Sequence, residues 1–401
     1  MTYVIIGNGP AGINAIEQII KINPEGEIIL VSKENTLPYS RIMLPEYLIG
    51  EVCEDQLYYR DKDFYARYKV NLRLGRFVTG IIPEQKIVTL DDGSSIAYDK
   101  LLIATGSSPV IPKFAQCDIG GVFTLWDKND VEKIRSYINN IKEISEIVVI
   151  GGGLLGLQIA RALSSIGLSV TVVEKQDRIM PLQLDKKAGI LLMEAAGKSG
   201  VKFLIDTEVL SLEEEQGSIK YVVTNKGKIK ADAVFVSVGV KPNLNFVENT
   251  GLNRNKGLIV NEYMETNIPD IYAAGDIAEA REYLTNENTV RALWPCAVRQ
   301  GKVAGLNMAG CKEIYDGSIA MNSIELFGLS LISFGELQGE GINGIMNNYG
   351  DGNYQMLFFR EDRLVGAIFA GSIQNAGVFF NRLGEKLSYN FINRLLNCLP
   401  Y

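Results

Sequence analysis

The sequence predicts an α/β protein with two domains built on βαβ units and a small α+β domain at its C-terminal end. Three observations lead to this fold class. Buried strand patterns alternate with amphipathic helix patterns through most of the chain. A glycine-rich turn between a strand and a helix occurs twice, at 7–12 and 151–156. Residues 316–401 carry strand-like runs without a third such turn.

The first βαβ unit begins at the start of the chain. Residues 2–6 form an apolar run typical of a buried strand, 13–21 have helical periodicity, and 27–31 repeat the strand pattern. The same order recurs with a strand at 146–150, a helix over 157–166 and a strand at 169–173. The sequence therefore contains two copies of one supersecondary unit.

The remaining patterns divide the chain into three predicted domains, which comprise 1–110 with 239–315, then 111–238, and finally 316–401. A capped helix from Asp127 to Ile141 leads into the second unit, and the prolines at 109–112 favour a boundary there. In the last domain the runs 323–335, 354–359 and 364–370 predict strands, and 377–396 predicts a terminal helix.

Composition excludes several classes of function. The chain has no histidine, so a histidine general base, a Ser-His-Asp triad and histidine-ligated metal are excluded, and we expect no metal site. Its 40 basic and 47 acidic residues give a net charge of −7, which argues against a nucleic-acid partner. Its five cysteines include no CxxC pair, no apolar run predicts a membrane span, and residues 4–9 leave no room for a signal peptide. We therefore expect a cytoplasmic protein.

Both glycine turns match the GxGxxG fingerprint of Rossmann-like dinucleotide-binding domains. In this fingerprint the first glycine permits a tight turn, the second lets the backbone approach a pyrophosphate, and the third lets the helix pack against the strand. The helix N-terminus then offers free N–H groups and a partial positive charge to phosphates. The glycines are Gly7, Gly9 and Gly12 in the first unit and Gly151, Gly153 and Gly156 in the second.

An acidic residue at the end of the following strand accepts a hydrogen bond from the adenosine ribose in such domains. Glu174 occupies this position in the second unit, which favours NADH over NADPH, although Lys175 and Arg178 nearby would soften that preference. In the first unit Glu34 comes slightly late. It is either the ribose acceptor or a solvated loop carboxylate.

Further strings carry a resemblance to a known family. An ATG turn follows a strand at 101–106, a GVKPN string lies at 239–243, and an AGD string ends a strand at 274–276. With the two fingerprints in this order, the chain resembles the two-dinucleotide-binding-domain flavoproteins of the pyridine nucleotide–disulfide oxidoreductase superfamily. The strings at 37–41, 261–266 and 363–367 are similar to its NADH–rubredoxin reductase and nitrite reductase branch. The phrase at 292–305 is similar to flavoprotein subunits of ferredoxin-linked anaerobic dehydrogenases.

The resemblance implies FAD in the first predicted domain and NAD(H) in the second. Asp276 would bind the ribityl chain, Arg41 would approach the pyrophosphate, and the helix that starts near Pro295 would stabilise the charge of reduced flavin. Trp294 beside it is either part of this site or a packed core aromatic. The implied FAD residues are Gly7, Gly9, Pro10, Ala11, Gly12, Glu34, Arg41, Val78, Ala104, Thr105, Gly106, Gly275, Asp276, Trp294 and Pro295. The implied NAD residues are Gly151, Gly153, Leu154, Leu155, Gly156, Glu174 and Gly239.

Departures from the family bear on the reaction. The superfamily's disulfide reductases carry a cysteine pair and a C-terminal histidine, which this chain lacks, and Ile42 stands where the single-cysteine branch has its thiol. The glutamate and lysine that related members place over the flavin are replaced by Gln158 and Glu46. Gln158 either bonds the nicotinamide carboxamide or a flavin edge, or is a helix-surface amide.

The chain thus supplies no evident reactive side chain, so the resemblance implies that redox chemistry lies in FAD. We expect hydride transfer between NAD(H) and FAD and electron transfer to an acidic ferredoxin- or rubredoxin-type carrier, by a homodimer or a subunit of a larger redox complex. Six basic residues between 60 and 76 form a candidate docking segment. Two alternatives remain open, an NADH oxidase or peroxidase that uses O₂ and a flavoprotein that senses NADH without turnover.

Overall fold

The computed structural model describes residues 1–116, 119–140, 144–350, 352–388 and 391–392. The chain divides into two compact units. The first comprises Met1–Ser40, Glu54–Ser108 and Val240–Ile319, and the second comprises Arg41–Cys53, Pro109–Gly239 and Ala320–Tyr401. The three predicted domains with their cofactors stay a prediction, since compactness does not assign a ligand.

The first hundred residues contain the first predicted βαβ unit and a small group of antiparallel strands. The predicted strand at 2–6 has the bounds that the structure gives. The elements are β1 (Thr2–Ile6), α1 (Pro10–Ile22), β2 (Glu27–Ser32), α2 (Leu44–Leu48), α3 (Glu54–Leu57), α4 (Phe64–Arg67), β3 (Asn71–Leu74), β4 (Val78–Ile82), β5 (Ile87–Leu90), β6 (Ser95–Ala97) and β7 (Lys100–Ile103).

The middle of the chain contains the second βαβ unit, followed by an antiparallel meander. Both strands predicted there, 146–150 and 169–173, agree with the structure. The elements are β8 (Ser107–Pro109), β9 (Val122–Phe123), α5 (Lys128–Asn140), β10 (Glu146–Ile150), α6 (Leu154–Ser165), β11 (Ser169–Val173), α7 (Lys186–Lys198), β12 (Lys202–Leu204), β13 (Val209–Glu215), β14 (Ser218–Thr224), β15 (Gly227–Lys230) and β16 (Ala233–Val236).

The rest of the chain returns to short strands, one long helix and the C-terminal strands. The elements are β17 (Val240–Pro242), β18 (Leu258–Ile259), β19 (Ile271–Ala273), β20 (Ala278–Arg281), β21 (Asn288–Thr289), α8 (Trp294–Met308), β22 (Met321–Leu326), β23 (Leu329–Gly335), β24 (Ile342–Gly350), β25 (Asn353–Arg360), β26 (Arg363–Ala370) and α9 (Ala376–Phe380).

Each unit is built on a five-stranded parallel sheet. In the first unit the strand order is β19-β7-β1-β2-β3, and in the second it is β12-β11-β10-β16-β9. Their central strands β1 and β10 are continuous apolar runs buried on both faces, as parallel sheets require. Together with the C-terminal antiparallel sheet β22-β23-β26-β25-β24, this architecture confirms the predicted α/β fold class.

Helices α1 and α8 approach each other to backbone contact in the first unit. A Cβ atom at Gly301 would lie 2.2 Å from the carbonyl oxygen of Ala11, and one at Gly305 would lie 2.5 Å from that of Ala15. Only glycine fits at both positions, because any side chain would push the two helices apart. These glycines therefore fix the distance between the helices.

Within the second unit, a buried tyrosine connects the C-terminal sheet to helix α7. Tyr354 on β25 is fully buried, and its hydroxyl donates to the carboxylate of Asp185. The other oxygen of that carboxylate caps α7 by accepting from the Ala188 N–H at 2.9 Å. Asp185 thus accepts hydrogen bonds both from the N-terminus of α7 and from a tyrosine of the C-terminal sheet.

Two predictions for the C-terminal part were wrong, and one strand was missed. The run 323–335 is two strands, because Phe327 and Gly328 adopt positive φ angles of 53° and 75° and form a tight turn. Strand β24 was not predicted. The helix predicted over 377–396 is interrupted after Phe380, because Gly384 has φ 83° and its N–H bonds the Leu364 carbonyl, which pairs the chain with β26, and residues 391–392 are helical again. Residues 389–390 and 393–396 of that prediction lie outside the described residues.

Candidate functional site

The first glycine turn is shaped by close packing at two of its three glycines. A Cβ atom at Gly7, where φ is 118°, would lie 2.1 Å from the carbonyl oxygen of Ala104. At Gly12 it would lie 2.1 Å from that of Gly7. At Gly9 it would meet no atom within 4 Å. Packing within the protein therefore requires glycine at the first and third positions. At the second position no protein atom occupies the space beside the backbone.

The second glycine turn repeats this pattern in the second unit. A Cβ atom at Gly151 would lie 2.1 Å from the Ser237 carbonyl oxygen, and one at Gly156 would lie 2.1 Å from that of Gly151. Around Gly153 no atom lies within 4 Å of the Cβ position. Both turns thus leave open space over the second glycine, which suits a ligand that lies against the main chain.

The helices that follow both turns lack a side-chain cap. Helix α1 starts at Pro10 and Ala11, α6 starts at Leu154 and Leu155, and neither has a capping side chain or an acidic residue in its first turn. Helix α7, by contrast, is capped by Asp185. Uncapped N-terminal N–H groups bind anions readily, so α1 and α6 are suited to phosphates.

The ATG and AGD turns lie side by side at the carboxyl edge of the first sheet. Ile103 on β7 pairs with Ala273 on β19, so the turn from Ala104 to Gly106 emerges next to Gly275 and Asp276. The hydroxyl of Thr105 is buried and has no hydrogen-bond partner among the described residues. A buried unpaired hydroxyl is costly, so a ligand group beside this turn would satisfy it.

Two side chains that the sequence analysis missed hold the AGD turn. Ser107 donates from its hydroxyl to Oδ2 of Asp276 at 2.7 Å, and Gln300 accepts from the Gly275 N–H at 2.8 Å. Gln300 is 1% exposed, and its amide nitrogen lies 3.4 Å from the Tyr315 hydroxyl. The sequence around Ser107 and Gln300 does not indicate these hydrogen bonds, because their partners lie far away along the chain.

The loop after β2 is held beside the first glycine turn. Glu34 accepts from the Tyr39 hydroxyl at 2.5 Å, and the Asn8 side chain donates to the Thr36 carbonyl at 3.0 Å. Tyr65 donates in turn to the Asn8 side-chain oxygen. Burial raises the pKa of Tyr65 against the opposing effect of Asn8, so the phenol stays a donor. This arrangement fixes Glu34 close to the turn and leaves its ribose role a proposal.

The other predicted FAD residues fall into different places. Val78 is buried on β4 in the first unit. Trp294 and Pro295 begin α8, and the Trp294 ring packs edge-on against Tyr59 with centroids 4.9 Å apart. Arg41 belongs to the second unit, where it donates to the Trp126 carbonyl and lies over that indole ring. The structure thus brings the predicted FAD residues together in one unit, with Arg41 excepted.

Glu174 lies at the end of β11 beside the second glycine turn and is 9% exposed. Its Oε2 accepts from the Gly152 N–H at 2.7 Å and its Oε1 from the Gln176 N–H at 2.8 Å. Each carboxylate oxygen keeps a second lone pair for another donor. The neighbouring cations are engaged elsewhere, since Lys175 lies 2.7 Å from Glu208 and Arg178 lies 2.7 Å from Asp177.

Two further predicted residues lie on the second unit. Gly239, with φ 115°, accepts from the Val110 N–H at 2.9 Å. Gln158 is half-buried on α6. One turn further along this helix Arg161 lies 2.5 Å from Glu46, and this ion pair lines a cleft of about 510 Å³. Glu46 therefore pairs with an arginine on α6, which is a different arrangement from the Lys–Glu pair of related members.

The basic segment at 60–76 is partly neutralised within the first unit. Arg60 pairs with Glu17, Arg67 with Asp61, and Arg76 with two aspartates. Arg73 lies on β3, four strands from β19 and so about 19 Å from the AGD edge of the sheet. The two ends of the segment therefore lie differently: Arg73 is remote from the AGD edge, whereas Arg60 lies over the ring of Tyr59, which packs against Trp294.

Other expected features concern cysteines, metals and membranes. The cysteines Cys53, Cys296 and Cys311 form no disulfide, and within the described ranges no cluster of three acidic or thiol side chains suits a metal. No helix in the described part of the chain has the length and apolarity to cross a bilayer.

Comparison with known proteins places these features in a family. The model of the pyridine nucleotide-disulphide oxidoreductases matches residues 1–301, and that of the rubredoxin NAD+ reductase C-terminal domain matches residues 321–383. The NADH-dependent phenylglyoxylate dehydrogenase subunit epsilon of Aromatoleum evansii is 32% identical over 94% of this chain and 87% of the relative.

Two further comparisons extend this result. The assimilatory nitrate reductase electron transfer subunit of Bacillus subtilis is 32% identical over 93% of this chain, which spans only 48% of that relative. The crystal structure of NADH:rubredoxin oxidoreductase from Clostridium acetobutylicum has a TM-score of 0.79 and 28% identity, with 100% of both chains covered. The family uses FAD and NADH, which confirms the predicted cofactors and the oxidoreductase class. This chain belongs to the pyridine nucleotide-disulphide oxidoreductase family.

Proposed function

We propose that the chain transfers hydride between NADH and FAD and passes electrons to a small iron–sulfur carrier of the rubredoxin or ferredoxin type. The observation that carries this proposal is the pair of glycine turns, each with open space over its second glycine and an uncapped helix behind it. The match of residues 321–383 to the rubredoxin NAD+ reductase C-terminal domain supports the type of carrier.

The first unit would hold FAD. Its pyrophosphate would lie against Gly9 and the N-terminus of α1, its adenosine ribose against Glu34, and its ribityl chain against Asp276 and Thr105. The N-terminus of α8, with no acidic residue in its first turn, would stabilise negative charge on the ring system. When bound, FAD supplies a two-electron acceptor for hydride that releases electrons singly.

The second unit would hold NADH. Its pyrophosphate would lie against Gly153 and the N-terminus of α6, and Glu174 would accept from the adenosine 2′-hydroxyl. A 2′-phosphate would meet the same carboxylate, and the adjacent Lys175 and Arg178 already face carboxylates of their own. The chain therefore disfavours NADPH.

The acceptor would be an acidic carrier, and the basic segment at 60–76 stays the proposed docking segment. Its Arg60 end supports this, because Arg60 lies over Tyr59, which packs against Trp294 at the start of α8. Arg73 on β3 lies at the opposite edge of the sheet from Asp276. The Clostridium acetobutylicum relative is named for rubredoxin, and the Bacillus subtilis relative is an electron transfer subunit. We propose a cytoplasmic protein that acts as a homodimer or as a subunit of a larger complex, and the electron transfer subunit among its relatives supports the second arrangement.

Two matched substitutions test the two cofactor sites separately. The backbone at Gly9 and Gly153 has φ angles of −87° and −77°, which alanine adopts without strain, and each added methyl group would enter open space. Gly9→Ala should therefore fold and lose FAD. Gly153→Ala should fold, retain FAD and lose flavin reduction by NADH. Retention of both cofactors in both variants would contradict the assignment.

The reaction is tested by anaerobic stopped-flow mixing. We expect NADH to bleach the flavin of the wild-type protein, and rubredoxin or ferredoxin then to restore its absorbance as the carrier is reduced. Rapid aerobic NADH consumption without a carrier would instead indicate an oxidase. A long-lived charge-transfer complex without turnover would indicate a sensor. Either result would overturn the proposal.

A further inference from the structure

Within the first unit, Ser107 holds the side chain of Asp276 and Gln300 holds the turn before it. Its backbone follows Gly275, which has φ 81°, and the Gly275 N–H is bonded to the buried amide of Gln300. Its Oδ2 accepts from Ser107 at 2.7 Å. Ser107 is 7% exposed and begins β8 directly after the ATG turn. The serine therefore links the two turns that meet at the carboxyl edge of the sheet.

We propose that Ser107 is a positioning residue that aims the Asp276 carboxylate at the ribityl chain of FAD, an inference that rests on the proposed function. An aspartate side chain has two torsions, χ1 and χ2, that must be ordered when it binds a ligand. The hydrogen bond from Ser107 to Oδ2 selects a single rotamer in advance, so the carboxylate is already oriented before the cofactor binds. The cost of ordering the carboxylate then falls on folding, so FAD binds more tightly.

The adjacent residue provides a matched control. The Ser108 hydroxyl donates instead to the Asn243 side-chain oxygen at 2.7 Å. Ser107→Ala and Ser108→Ala thus each remove one hydroxyl and one short hydrogen bond from neighbouring positions of one strand. A general loss of packing in β8 would affect both variants alike.

The test measures FAD affinity of the deflavinated protein by quenching of FAD fluorescence, together with the melting temperature of the apoprotein. We expect Ser107→Ala to raise the FAD dissociation constant roughly 3- to 10-fold, which is the cost of ordering the Asp276 side chain on binding. Ser108→Ala should leave the constant within about twofold. Ser107→Thr, which retains the hydroxyl, should restore most of the affinity.

A double-mutant cycle separates positioning from a structural effect. If Ser107 acts through Asp276, then Ser107→Ala should add little to the loss caused by Asp276→Ala, because the carboxylate it orients is already gone. Full additivity of the two losses, or equal effects of Ser107→Ala and Ser108→Ala, would overturn the inference. A wild-type apoprotein that binds no FAD would instead overturn the proposed function, so the two failures are distinct.

Discussion

Replacement of Glu174 by alanine probes how the second unit selects its nucleotide. The carboxylate is almost completely buried, and it accepts from Gly152 and Gln176 while keeping one lone pair on each oxygen. In the proposed complex it accepts from the adenosine 2′-hydroxyl of NADH. In NADPH the same place carries a phosphate, which the negative charge repels.

The expected magnitude follows from these contacts. A hydrogen bond to a charged group contributes about 1.5–3 kcal/mol, so Glu174→Ala should raise the dissociation constant of NADH roughly 10- to 150-fold. The dissociation constant of NADPH should change much less, because the variant also loses the repulsion. The buried Gly152 N–H loses its acceptor, which should lower the free energy of unfolding by about 1–3 kcal/mol.

The assay is reductive titration of the FAD-loaded protein, monitored at the flavin absorbance, with NADH and NADPH in parallel. Glu208→Gln is the control, because it changes an exposed ion pair with Lys175 on the same side of the unit and spares Glu174. In Glu208→Gln we expect a modest gain in affinity for NADPH alone, because Lys175 is released from its ion pair. Equal losses of NADH and NADPH affinity in Glu174→Ala would refute the ribose role.

Three further predictions concern stability and reactivity. Gly301→Ala should lower the free energy of unfolding by about 1–3 kcal/mol, because its methyl group would overlap α1. Gly197→Ala, whose methyl group would enter open space, should not lower the free energy of unfolding. Chemical denaturation of the two variants makes the comparison. Lys100 and Lys86 lower the pKa of Asp270, so Asp270→Asn should lower the free energy of unfolding at neutral pH. This difference from the wild-type protein should disappear as the pH falls through the lowered pKa, and a pH-independent difference would contradict the reasoning. Burial raises the pKa of Cys296 to about 11, so iodoacetamide at pH 8 should label exposed Cys53 first, as mass spectrometry of the native protein would show.

The sequence predicted the parallel βαβ units well because their signals are local. Apolar runs and the glycines at 7–12 and 151–156 are contiguous, so strands 2–6, 146–150 and 169–173 needed no tertiary information. The C-terminal sheet was harder. Phe327 gives no turn signal although it adopts a positive φ, and β24 contains the turn-forming residues glycine and asparagine, which disguise a strand.

Within the site, residue types were predictable but their partners were not. The fingerprint placed Glu174 at the end of β11, yet nothing local indicated that Lys175 and Arg178 would be bound by other carboxylates. Ser107 and Asp276 are separated by 169 positions and meet only because β7 and β19 are neighbours. Contacts of this kind depend on sheet order, which a single sequence does not encode legibly.

The glycine seam between α1 and α8 has a mechanical consequence. One helix starts at Pro10 on the first glycine turn and the other at Trp294, and between Ala11 and Gly301 their main chains touch. Because their backbones are in contact, α1 and α8 cannot slide or tilt independently. Thermal motion therefore displaces the first glycine turn and the start of α8 together. The distance between the first glycine turn and the start of α8 is thereby kept constant, and any side chain larger than hydrogen at Gly301 or Gly305 would change it.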